Sequence, residues 1–410
     1  MKIGIIGGGP GGTITAATLA KRGIEVHLFE QQVFPRFHIG ESLLPCNLPI
    51  FEELGLTRAV FAEHAFMPKH GAHFEHAESG RTVRFPFADS LPGDPPSIYQ
   101  VERSRFDLLL LNRAVELGAI LHCPVKVSHI DIASRTIHHS AGAASFDFIV
   151  DASGRETLLA RQLGLLDRAN DLRRAAVFGH VRGLPLAPGA EVGDISIAKG
   201  PAGWCWQIPL EADKWSVGMV LKREYIQTPV GDERHEPDPL LQVRGGTSAD
   251  AVFARHIGLF PTVQARLAGQ VPEPARALPN ISYRVRDRIG PGFALLGDAG
   301  GFIDPIFSSG VLLAARAGWR LGTLLANHGA AADLAGWKTQ TDHDLASFFA
   351  FIRLWYDGHF IDNLFFSDLR TEPIYRGIIS LLAGNTTHPG NHFLALLQRR
   401  MADPLRGMPA

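Results

Sequence analysis

The sequence predicts an α/β protein with a Rossmann-like nucleotide-binding domain, an antiparallel β-sheet domain and a helical C-terminal region. A glycine-rich turn joins two short apolar strands within the first 30 residues, which is typical of a nucleotide-binding fold. Segments of alternating polarity between residues 165 and 222 are spaced like antiparallel strands, and residues 331–410 are predicted to be helical. With 410 residues, 46% of them hydrophobic, the chain is long enough to bury large cores.

Charge and cysteine content narrow the class of protein. The chain has 40 basic and 41 acidic residues, so it has no global field that would attract nucleic acid or an anionic membrane. Cys46, Cys123 and Cys205 have neither metal-ligand nor CxxC spacing, so we expect reduced thiols and a cytoplasmic location. The apolar N-terminus turns into glycines within seven residues, and we expect neither export nor membrane anchoring.

The first 30 residues predict a βαβ unit. Residues 2–6 (KIGII) are the first strand, residues 13–23 (TITAATLAKRG) are a helix that closes on its final glycine, and residues 25–30 (EVHLFE) are the second strand. These elements fall in the order of a dinucleotide-binding motif, with an ordinary glycine turn as the alternative.

The turn between strand and helix contains glycines in GxGxxG spacing, each with its own predicted role. Gly7 permits the tight turn, Gly9 lets the backbone approach a pyrophosphate, and Gly12 allows close helix packing. The helix N-terminus favours phosphate, and Glu30, at the end of the second strand, is placed to accept bonds from ribose hydroxyls. The motif predicts a dinucleotide without identifying which one.

A second glycine-rich cluster lies at residues 291–323, where the apolar strand FALLGDA runs into a helix. Asp298, at the end of this strand, is placed to bond a ribityl hydroxyl of a flavin, and the alternative is a simple helix cap. Between the two clusters, residues 100–119 predict an amphipathic helix behind Arg103, and residues 148–155 (FIVDASGR) repeat the pattern of strand, small residues and glycine.

The order GxGxxG, Arg before a helix, DASG and GD resembles the class A flavin monooxygenase superfamily of FAD-dependent enzymes. The resemblance implies that Asp298 contacts the ribityl chain of FAD and that Arg103 lies near the cofactor. No second phosphate loop for NAD(P)H is found in the sequence. The reductant is therefore expected to arrive as FADH2 from another protein, although class A hydroxylases also bind NADPH without a second Rossmann domain.

Three further segments resemble flavin-dependent halogenases within this superfamily. Residues 203–209 carry the pattern GWxWxIP, residues 302–310 are similar to the FxxPxxSxG element, and residues 34–45 (FPRFHIGESLLP) are similar to the strap that links flavin and substrate sites. The resemblance further implies cofactor contacts for four residues of the strap and the FxxPxxSxG element: Arg36, Ser42, Pro305 and Gly310.

The same segments have a direct chemical interpretation. Trp204 and Trp206 lie at i and i+2 on one face of a strand and, with Phe302, are predicted to wall the flavin side of the substrate site; filling of the core is the alternative. Ser309 and Gly310 stand at the start of an apolar helix, where backbone N–H groups suit chloride or bromide, although capping by Ser308 or Ser309 is compatible with the same pattern.

The halogenase family uses a lysine to direct hypohalous acid toward the substrate. Lys69 precedes Gly71 and Phe74 in a segment that resembles the Lys-x-Gly-Ala-x-Phe sequence of phenol and pyrrole halogenases, and is the candidate catalytic residue. Burial would lower the pKa of its amine toward haloamine formation, whereas a solvated surface lysine is the alternative. The nearby His70, His73 and His76 do not have helical metal-ligand spacing and no carboxylate joins them in a firm pattern, so no metal site is predicted.

The motifs divide the chain into three predicted domains. A discontinuous FAD-binding domain comprises residues 1–45, 98–165 and 275–330, a substrate domain comprises 46–97 and 166–274, and a helical region comprises 331–410. Within these domains, the polar segment 224–248 is predicted to be a surface loop, and the aromatic segment 348–366 is predicted to be core, with a substrate channel as the alternative.

The resemblance implies FADH2- and O2-dependent halogenation of an electron-rich phenol, pyrrole or carrier-bound acyl group. The expected cofactors are FAD and a halide ion, and the expected partners are a separate flavin reductase and an aromatic substrate, which a carrier protein holds in some halogenases. An FAD-dependent aromatic hydroxylase or flavin-dependent reductase is the alternative function, and a flavin-binding protein without turnover is a third.

Overall fold

The computed structural model describes residues 1–167, 174–222, 248–278, 282–366 and 370–402. Its parallel and antiparallel sheets with flanking helices confirm the predicted α/β fold class. The predicted loop at 224–248 lies, except for its last residue, outside the described residues. No helix in the described part of the chain is both long and apolar enough to cross a membrane.

The strands are short, and we number them in chain order. They are β1 (Lys2–Ile6), β2 (Glu25–Phe29), β3 (Met67–Lys69), β4 (Gly71–His76), β5 (Thr82–Pro86), β6 (Ile98–Gln100), β7 (Ile120–His122), β8 (Val127–Asp131), β9 (Thr136–His139), β10 (Gly142–Ser145), β11 (Phe148–Asp151), β12 (Leu166–Asp167), β13 (Arg174–Arg182), β14 (Ile195–Gly200), β15 (Gly203–Pro209), β16 (Lys214–Lys222), β17 (Arg276–Leu278), β18 (Tyr283–Val285), β19 (Ile289–Gly290), β20 (Phe293–Leu295) and β21 (Gly301–Phe302).

The α-helices are numbered in the same way, and short 3-10 turns occur between some of them. The helices are α1 (Pro10–Ala20), α2 (Leu48–Glu53), α3 (Arg58–Glu63), α4 (Arg103–Glu116), α5 (Leu158–Gln162), α6 (Ala249–His256), α7 (Pro261–Leu267), α8 (Gly310–His328), α9 (Ala335–Tyr356), α10 (Gly358–Phe365), α11 (Glu372–Leu382) and α12 (His392–Ala402).

The chain forms two compact units, each made of three segments. Unit 1 contains the described residues of Met1–Glu63, Val101–Arg168 and Tyr283–Phe349. Unit 2 contains those of His64–Gln100, Ala169–Ser282 and Ala350–Ala410. The predicted division into FAD-binding, substrate and C-terminal domains stays a proposal. The compact units have other boundaries: α2 and α3, from the predicted substrate domain, and most of α9, from the predicted C-terminal region, belong to unit 1.

Unit 1 is built on a six-stranded sheet in the order β19-β20-β11-β1-β2-β7, in which all neighbours are parallel except β19 and β20. The predicted βαβ unit β1–α1–β2 lies at its centre, where a nearly continuous apolar strand is expected. The helix begins at Pro10, three residues before the predicted start, because proline is tolerated in the first turn of a helix.

Helix α1 packs closely against α8, because two glycines of α8 face it. A Cβ atom at Gly318 would lie 2.5 Å from Thr15 Oγ1, and one at Gly322 would lie 2.9 Å from Thr18 Cγ2. Both threonines are completely buried. These two glycines, which belong to the second glycine-rich cluster of the sequence, therefore allow the two helices to pack closely.

Unit 2 is built on a seven-stranded sheet in the order β17-β13-β16-β15-β14-β4-β5. The strands from 174 to 222 pair antiparallel, as predicted, whereas β4 joins them by parallel pairing with β14. One face of the sheet forms an apolar core with α6 and α7, in which Phe253, Phe260 and Val263 are completely buried.

Phe351, Trp355 and Phe365 are buried and pack in a second core, as the core interpretation of segment 348–366 predicts. Phe365 lies 4.9 Å from Phe74 and 5.0 Å from Phe85, measured between ring centroids. Trp355 packs on the same cluster at 5.7 Å from Phe74 and is buried. Edge-to-face ring pairs of this kind each add about 0.5–1.5 kcal/mol beyond their buried area.

We predict that Gly218→Ala destabilises unit 2 by about 1–3 kcal/mol, because overpacking displaces aromatic side chains. The added Cβ would lie 2.4 Å from both Trp206 Cζ2 and Phe178 Cβ. Chemical denaturation and tryptophan fluorescence measure the effect. Gly336→Ala is the control, since a Cβ there meets no atom within 4 Å, and equal stability of the two variants would contradict the predicted packing.

Candidate active site

The glycine-rich turn after β1 is closed by backbone contacts that exclude side chains. Gly7 has a φ of +103°, and a Cβ atom on it would lie 2.2 Å from the Ala152 carbonyl oxygen. A Cβ atom on Gly12 would lie 1.9 Å from the Gly7 carbonyl oxygen. Only glycine fits at these two positions, since both collisions would be with backbone atoms.

Gly9 differs from Gly7 and Gly12 because the space that a side chain at Gly9 would occupy is open. Apart from the adjacent backbone, a Cβ atom there would have only Arg36 Nη2 within 4 Å among the described residues, at 3.8 Å. Gly9 is the N-cap of α1 and provides no side-chain cap, so the first N–H groups of the helix face this space. This cradle suits a phosphate group.

Glu30 closes the same turn from the end of β2. Its carboxylate accepts hydrogen bonds from the Gly8 N–H at 2.8 Å and from the Gln32 N–H at 2.7 Å. Because a carboxylate oxygen has two acceptor sites, these bonds leave capacity for a further donor. The ribose contact of Glu30 therefore stays a prediction.

Arg103 holds the strap (residues 34–45) to the start of α4. Its Nε and Nη2 donate to the Asp107 carboxylate at 2.7 and 2.9 Å, and its Nη1 donates to the Ile39 carbonyl oxygen at 2.8 Å. Arg36 donates from the strap to the same carboxylate at 3.2 Å. Burial, followed by the charge of Arg103, lowers the pKa of His38 to about 4, so this histidine of the strap is neutral.

Asp298 lies in a 3-10 turn that follows β20. Burial raises the pKa of its carboxyl to about 6, and the positive charges of Arg155 and Arg103 oppose this rise. Tyr283 donates its hydroxyl to the Asp298 carbonyl oxygen at 2.9 Å. Sequence reasoning missed Arg155 and Tyr283; the arginine directly after the DASG segment was an available signal, whereas nothing in the sequence around Tyr283 points to this turn.

Helix α8 begins at Gly310, in the segment predicted to hold a halide. Ser309 is its N-cap residue, is buried, and makes no side-chain capping bond among the described residues. Ser308 is in the left-handed region with φ +57°, and the Phe302 ring lies 3.9 Å from where a Cβ on Gly310 would be. The first N–H groups of this 19-residue helix therefore have no serine cap, which favours an anion there.

Pro305 begins the 3-10 turn that precedes this helix. The buried Asp304 accepts a hydrogen bond from the Ile306 N–H at 3.0 Å and caps the turn. Ser42, the remaining cofactor candidate, is a buried residue of the strap. These cofactor and halide candidates all belong to unit 1.

Trp204 and Trp206 lie on one face of β15 in unit 2, as their spacing predicts. Their ring centroids are 5.6 Å apart, and both side chains are buried. The indole N–H of Trp204 donates to the Tyr356 hydroxyl at 3.0 Å, and that of Trp206 donates to Ser216 Oγ at 3.1 Å. Bonding of both N–H groups fixes the orientation of the rings, and their role as a flavin-side wall stays a prediction.

Lys69, also in unit 2, is the last residue of β3 and is 1% exposed, so it is not the surface lysine of the alternative interpretation. Burial lowers the pKa of its amine to about 7, and the charge of Asp194 opposes the decrease. The Nζ atom lies 5.3 Å from the centroid of the Phe87 ring. At neutral pH the amine is therefore present in both protonated and neutral forms.

Comparison of this sequence with protein-family models and with known proteins gives the same family. The family model described as tryptophan halogenase matches residues 2–94 and 96–387. A tryptophan 2-halogenase from Chondromyces crocatus is 33% identical over 379 residues, which cover 88% of this chain and 66% of that protein. The chain therefore spans less than two thirds of the length of this relative.

Two other proteins match over nearly their full length. A 1H-pyrrole-2-carbonyl peptidyl-carrier-protein chlorinase from Pseudomonas fluorescens is 28% identical over 421 residues, with 93% of this chain and 88% of that protein covered. The crystal structure of a flavoprotein/dehydrogenase from Cytophaga hutchinsonii is similar with a TM-score of 0.84 and 27% identity, and 98% of each chain is covered.

We predict that Lys69→Met stabilises the protein, because it removes a buried group with an unfavourable charge. The pKa of Lys69 is about 7 when folded, against 10.5 as the ordinary value. As pH falls from 10.5 to 7, the unfolded chain takes up a proton that the folded chain does not, so the lysine costs stability in this range and the cost is constant below it. We expect a gain of about 2–4 kcal/mol at pH 6.5 and a smaller one at pH 9.5.

Denaturant unfolding at the two pH values measures this difference. Lys126→Met, at an exposed lysine, is the control and should change the free energy of unfolding little at either pH. A stabilisation by Lys69→Met that does not depend on pH would show that the Lys69 amine is not the source of the effect.

Proposed function

This chain belongs to the tryptophan halogenase family, and on that premise we propose that it halogenates an electron-rich aromatic or heteroaromatic substrate with FADH2, O2 and a halide ion. The observation that carries the proposal is the buried Lys69 with a pKa of about 7. An amine in this state costs folding free energy, and a flavin enzyme that only hydroxylates has no evident use for it.

The residues of unit 1 fit FAD as the cofactor. The open cradle at Gly9 and the N-terminus of α1 would hold the pyrophosphate, Glu30 would hold a ribose, and Asp298 would bond a ribityl hydroxyl. When bound and reduced, FAD would supply two electrons that reduce O2 to the peroxide level, and oxygen in that state would oxidise halide to hypohalous acid. Arg103 and Arg36 hold the strap through Asp107, and we propose that this arrangement positions Ser42 for its cofactor contact.

The start of α8 would bind the halide. The first N–H groups of this helix have no serine side-chain cap, and its dipole favours a negative ion at Ser309 and Gly310. The Phe302 ring, 3.9 Å from where a Cβ on Gly310 would be, would limit the access of water to the ion. Chloride and bromide both fit this description.

Lys69 would act on the oxidised halogen in one of two ways. As an ammonium group it would donate a hydrogen bond to hypohalous acid and make the halogen more electrophilic. As a neutral amine it would take the halogen from hypohalous acid to form a haloamine and water. The haloamine would then give the halogen to the substrate ring, and the proton that the ring loses would return to the amine. Both forms are populated near pH 7. The aromatic wall of Trp204 and Trp206 would exclude water from the reacting halogen.

The substrate is proposed to be a phenol, a pyrrole or an acyl group bound to a carrier protein. One relative is named as a chlorinase of carrier-bound pyrrole, and its length is close to that of this chain. A separate flavin reductase would supply FADH2. Cys46, Cys123 and Cys205 are not joined in disulfides, which supports the proposed cytoplasmic location.

The test is mass spectrometry of products formed by the protein with FAD, a flavin reductase, NADH and bromide, over a panel of phenols and pyrroles. A product with the isotope doublet of bromine supports the proposal. A product that has gained only oxygen, with no dependence on bromide, would replace it with an aromatic hydroxylase.

We predict that Gly9→Val lowers FAD affinity by at least about tenfold while the protein stays folded, because the branched side chain fills the cradle instead of meeting other protein atoms. Gly9→Ala should have a smaller effect of the same sign. Flavin titration and thermal unfolding of the apoprotein measure the two quantities. Normal flavin content in Gly9→Val would remove the cradle from the cofactor site.

We predict that Lys69→Ala abolishes halogenation while FAD binding and O2-driven oxidation of reduced flavin stay near wild type, because the amine acts after hypohalous acid forms. Lys69→Arg should also be inactive if a neutral amine is required, and should keep partial activity if hydrogen bonding suffices, since guanidinium stays protonated. Lys126→Ala is the control. Halide-dependent product from Lys69→Ala at the wild-type rate would assign halogen transfer to another group.

A further inference from the structure

We propose that Asp194, held by Arg84, is a positioning residue for Lys69: it fixes the buried amine in place and keeps a proton on it near neutral pH. The connection to halogen transfer rests on the function proposed above, whereas the effect on the amine does not. All three residues belong to unit 2.

Asp194 is a completely buried carboxylate with a fixed geometry. Arg84 donates to it from Nε at 2.6 Å and from Nη2 at 3.4 Å, and the Glu191 N–H donates to it at 3.2 Å. These charge-assisted hydrogen bonds hold the buried carboxylate in one orientation. Arg84 thus prepares a negative charge at a defined position in the interior.

Two contacts fix the Asp194 turn against the strand that ends at Lys69. A Cβ atom on Gly193 would lie 1.8 Å from the Pro68 carbonyl oxygen, so the backbone of the turn lies directly on the residue before the lysine. Gly193 has a φ of +89°, which also favours glycine. The Gln100 amide donates to the Gly193 carbonyl oxygen at 2.9 Å, and Gln100 pairs with Met67 on the lysine strand.

Gly71 makes room for the Arg84–Asp194 pair. A Cβ atom there would lie 2.9 Å from the Phe85 carbonyl oxygen, 3.1 Å from Asp194 Oδ1 and 3.2 Å from Arg84 Nη2. The glycine two residues after Lys69 therefore admits the Arg84–Asp194 pair beside the lysine. This gives a physical reason for the Lys-x-Gly spacing that the sequence shows.

The charge of Asp194 acts on Lys69 in the direction that the proposal requires. Burial lowers the pKa of the amine to about 7, and Asp194 limits this decrease. The Phe87 ring, 5.3 Å from Nζ, adds a weaker attraction for the ammonium form. Without Asp194 the pKa would fall well below 7, and the amine would be almost wholly neutral at neutral pH.

The other titratable groups on the surrounding elements do not replace Asp194. The Glu191 carboxylate forms an ion pair with Arg84 at 2.9 Å and is mostly exposed, so solvent screens its charge. His73, on β4, is buried, and burial lowers its pKa, so it is neutral at pH 7 and supplies no charge. Asp89, in the 3-10 turn that carries Phe87, is exposed, so its charge is screened by solvent.

The test follows the Lys69 amine by NMR of protein labelled with ¹³C at the lysine ε-carbons. The chain has eight lysines, and Lys69→Arg identifies the Lys69 signal by its loss. Wild type is expected to titrate near pH 7. Asp194→Asn should lower the midpoint by about one pH unit or more, because the nearby negative charge is removed.

The matched control is Asp213→Asn, which breaks an exposed Arg–Asp pair in the same unit and should leave the Lys69 midpoint unchanged. Arg84→Gln gives a test of opposite sign: it leaves Asp194 uncompensated and should raise the midpoint. This variant decides the question if Asp194→Asn does not fold, since Arg84 is only partly buried. A midpoint that stays at the wild-type value in folded Asp194→Asn, or falls in Arg84→Gln, would overturn the proposal.

The pH profile of halogenation then links the amine to turnover. In a plot of halogenation rate against pH, Asp194→Asn should shift the titration of Lys69 to lower pH with little change in the substrate KM. Asp213→Asn should leave the pH profile unchanged. The NMR titration needs no flavin, halide or substrate. A shifted titration in a protein that gives no halogenated product would therefore support the role of Asp194 and contradict the proposed function alone.

Discussion

The burial of a lysine amine is the constraint on which the local architecture of unit 2 depends. An ammonium group loses its hydration in the interior, and the protein compensates with a carboxylate, an aromatic face and a backbone shaped to admit both. Asp194, Phe87 and the glycines at positions 71 and 193 all serve this requirement. These groups offset only part of the cost of burying the charge, so the pKa of the Lys69 amine stays at about 7.

Unit 1 depends on a different kind of constraint, the close approach of backbone to backbone. The glycine turn at the end of β1 can be predicted from sequence because all its signals lie within 30 residues: glycine spacing, an apolar strand on each side and a terminal acid. The start of α1 was placed three residues late, since a proline in the first turn does not look helical in isolation. Local sequence patterns thus predict which helices and strands form more reliably than they predict the residues at which these elements begin and end.

The partners of buried charges were outside the reach of sequence reasoning. Lys69 can be found through its neighbours in the chain, but Asp194 lies more than 120 residues later, in a turn with no motif just before β14. The parallel pairing of β4 with β14 brings the two regions together. Arg103 illustrates the same limit. Its position implied a cofactor contact, while the structure shows its donors engaged by Asp107 and by the strap, so its visible role is to position other groups.

The strand order of unit 1 has a consequence for folding of the chain during its synthesis on the ribosome. Ile149 of β11 pairs with Phe293 of β20, so the central sheet stays incomplete until the far strand has been synthesised. At typical translation rates of about 5–20 residues per second, the intervening chain takes roughly 7–30 s to appear. During that interval β11 presents an unpaired parallel edge, and an edge of this kind is a site at which strands of other chains add and aggregation begins.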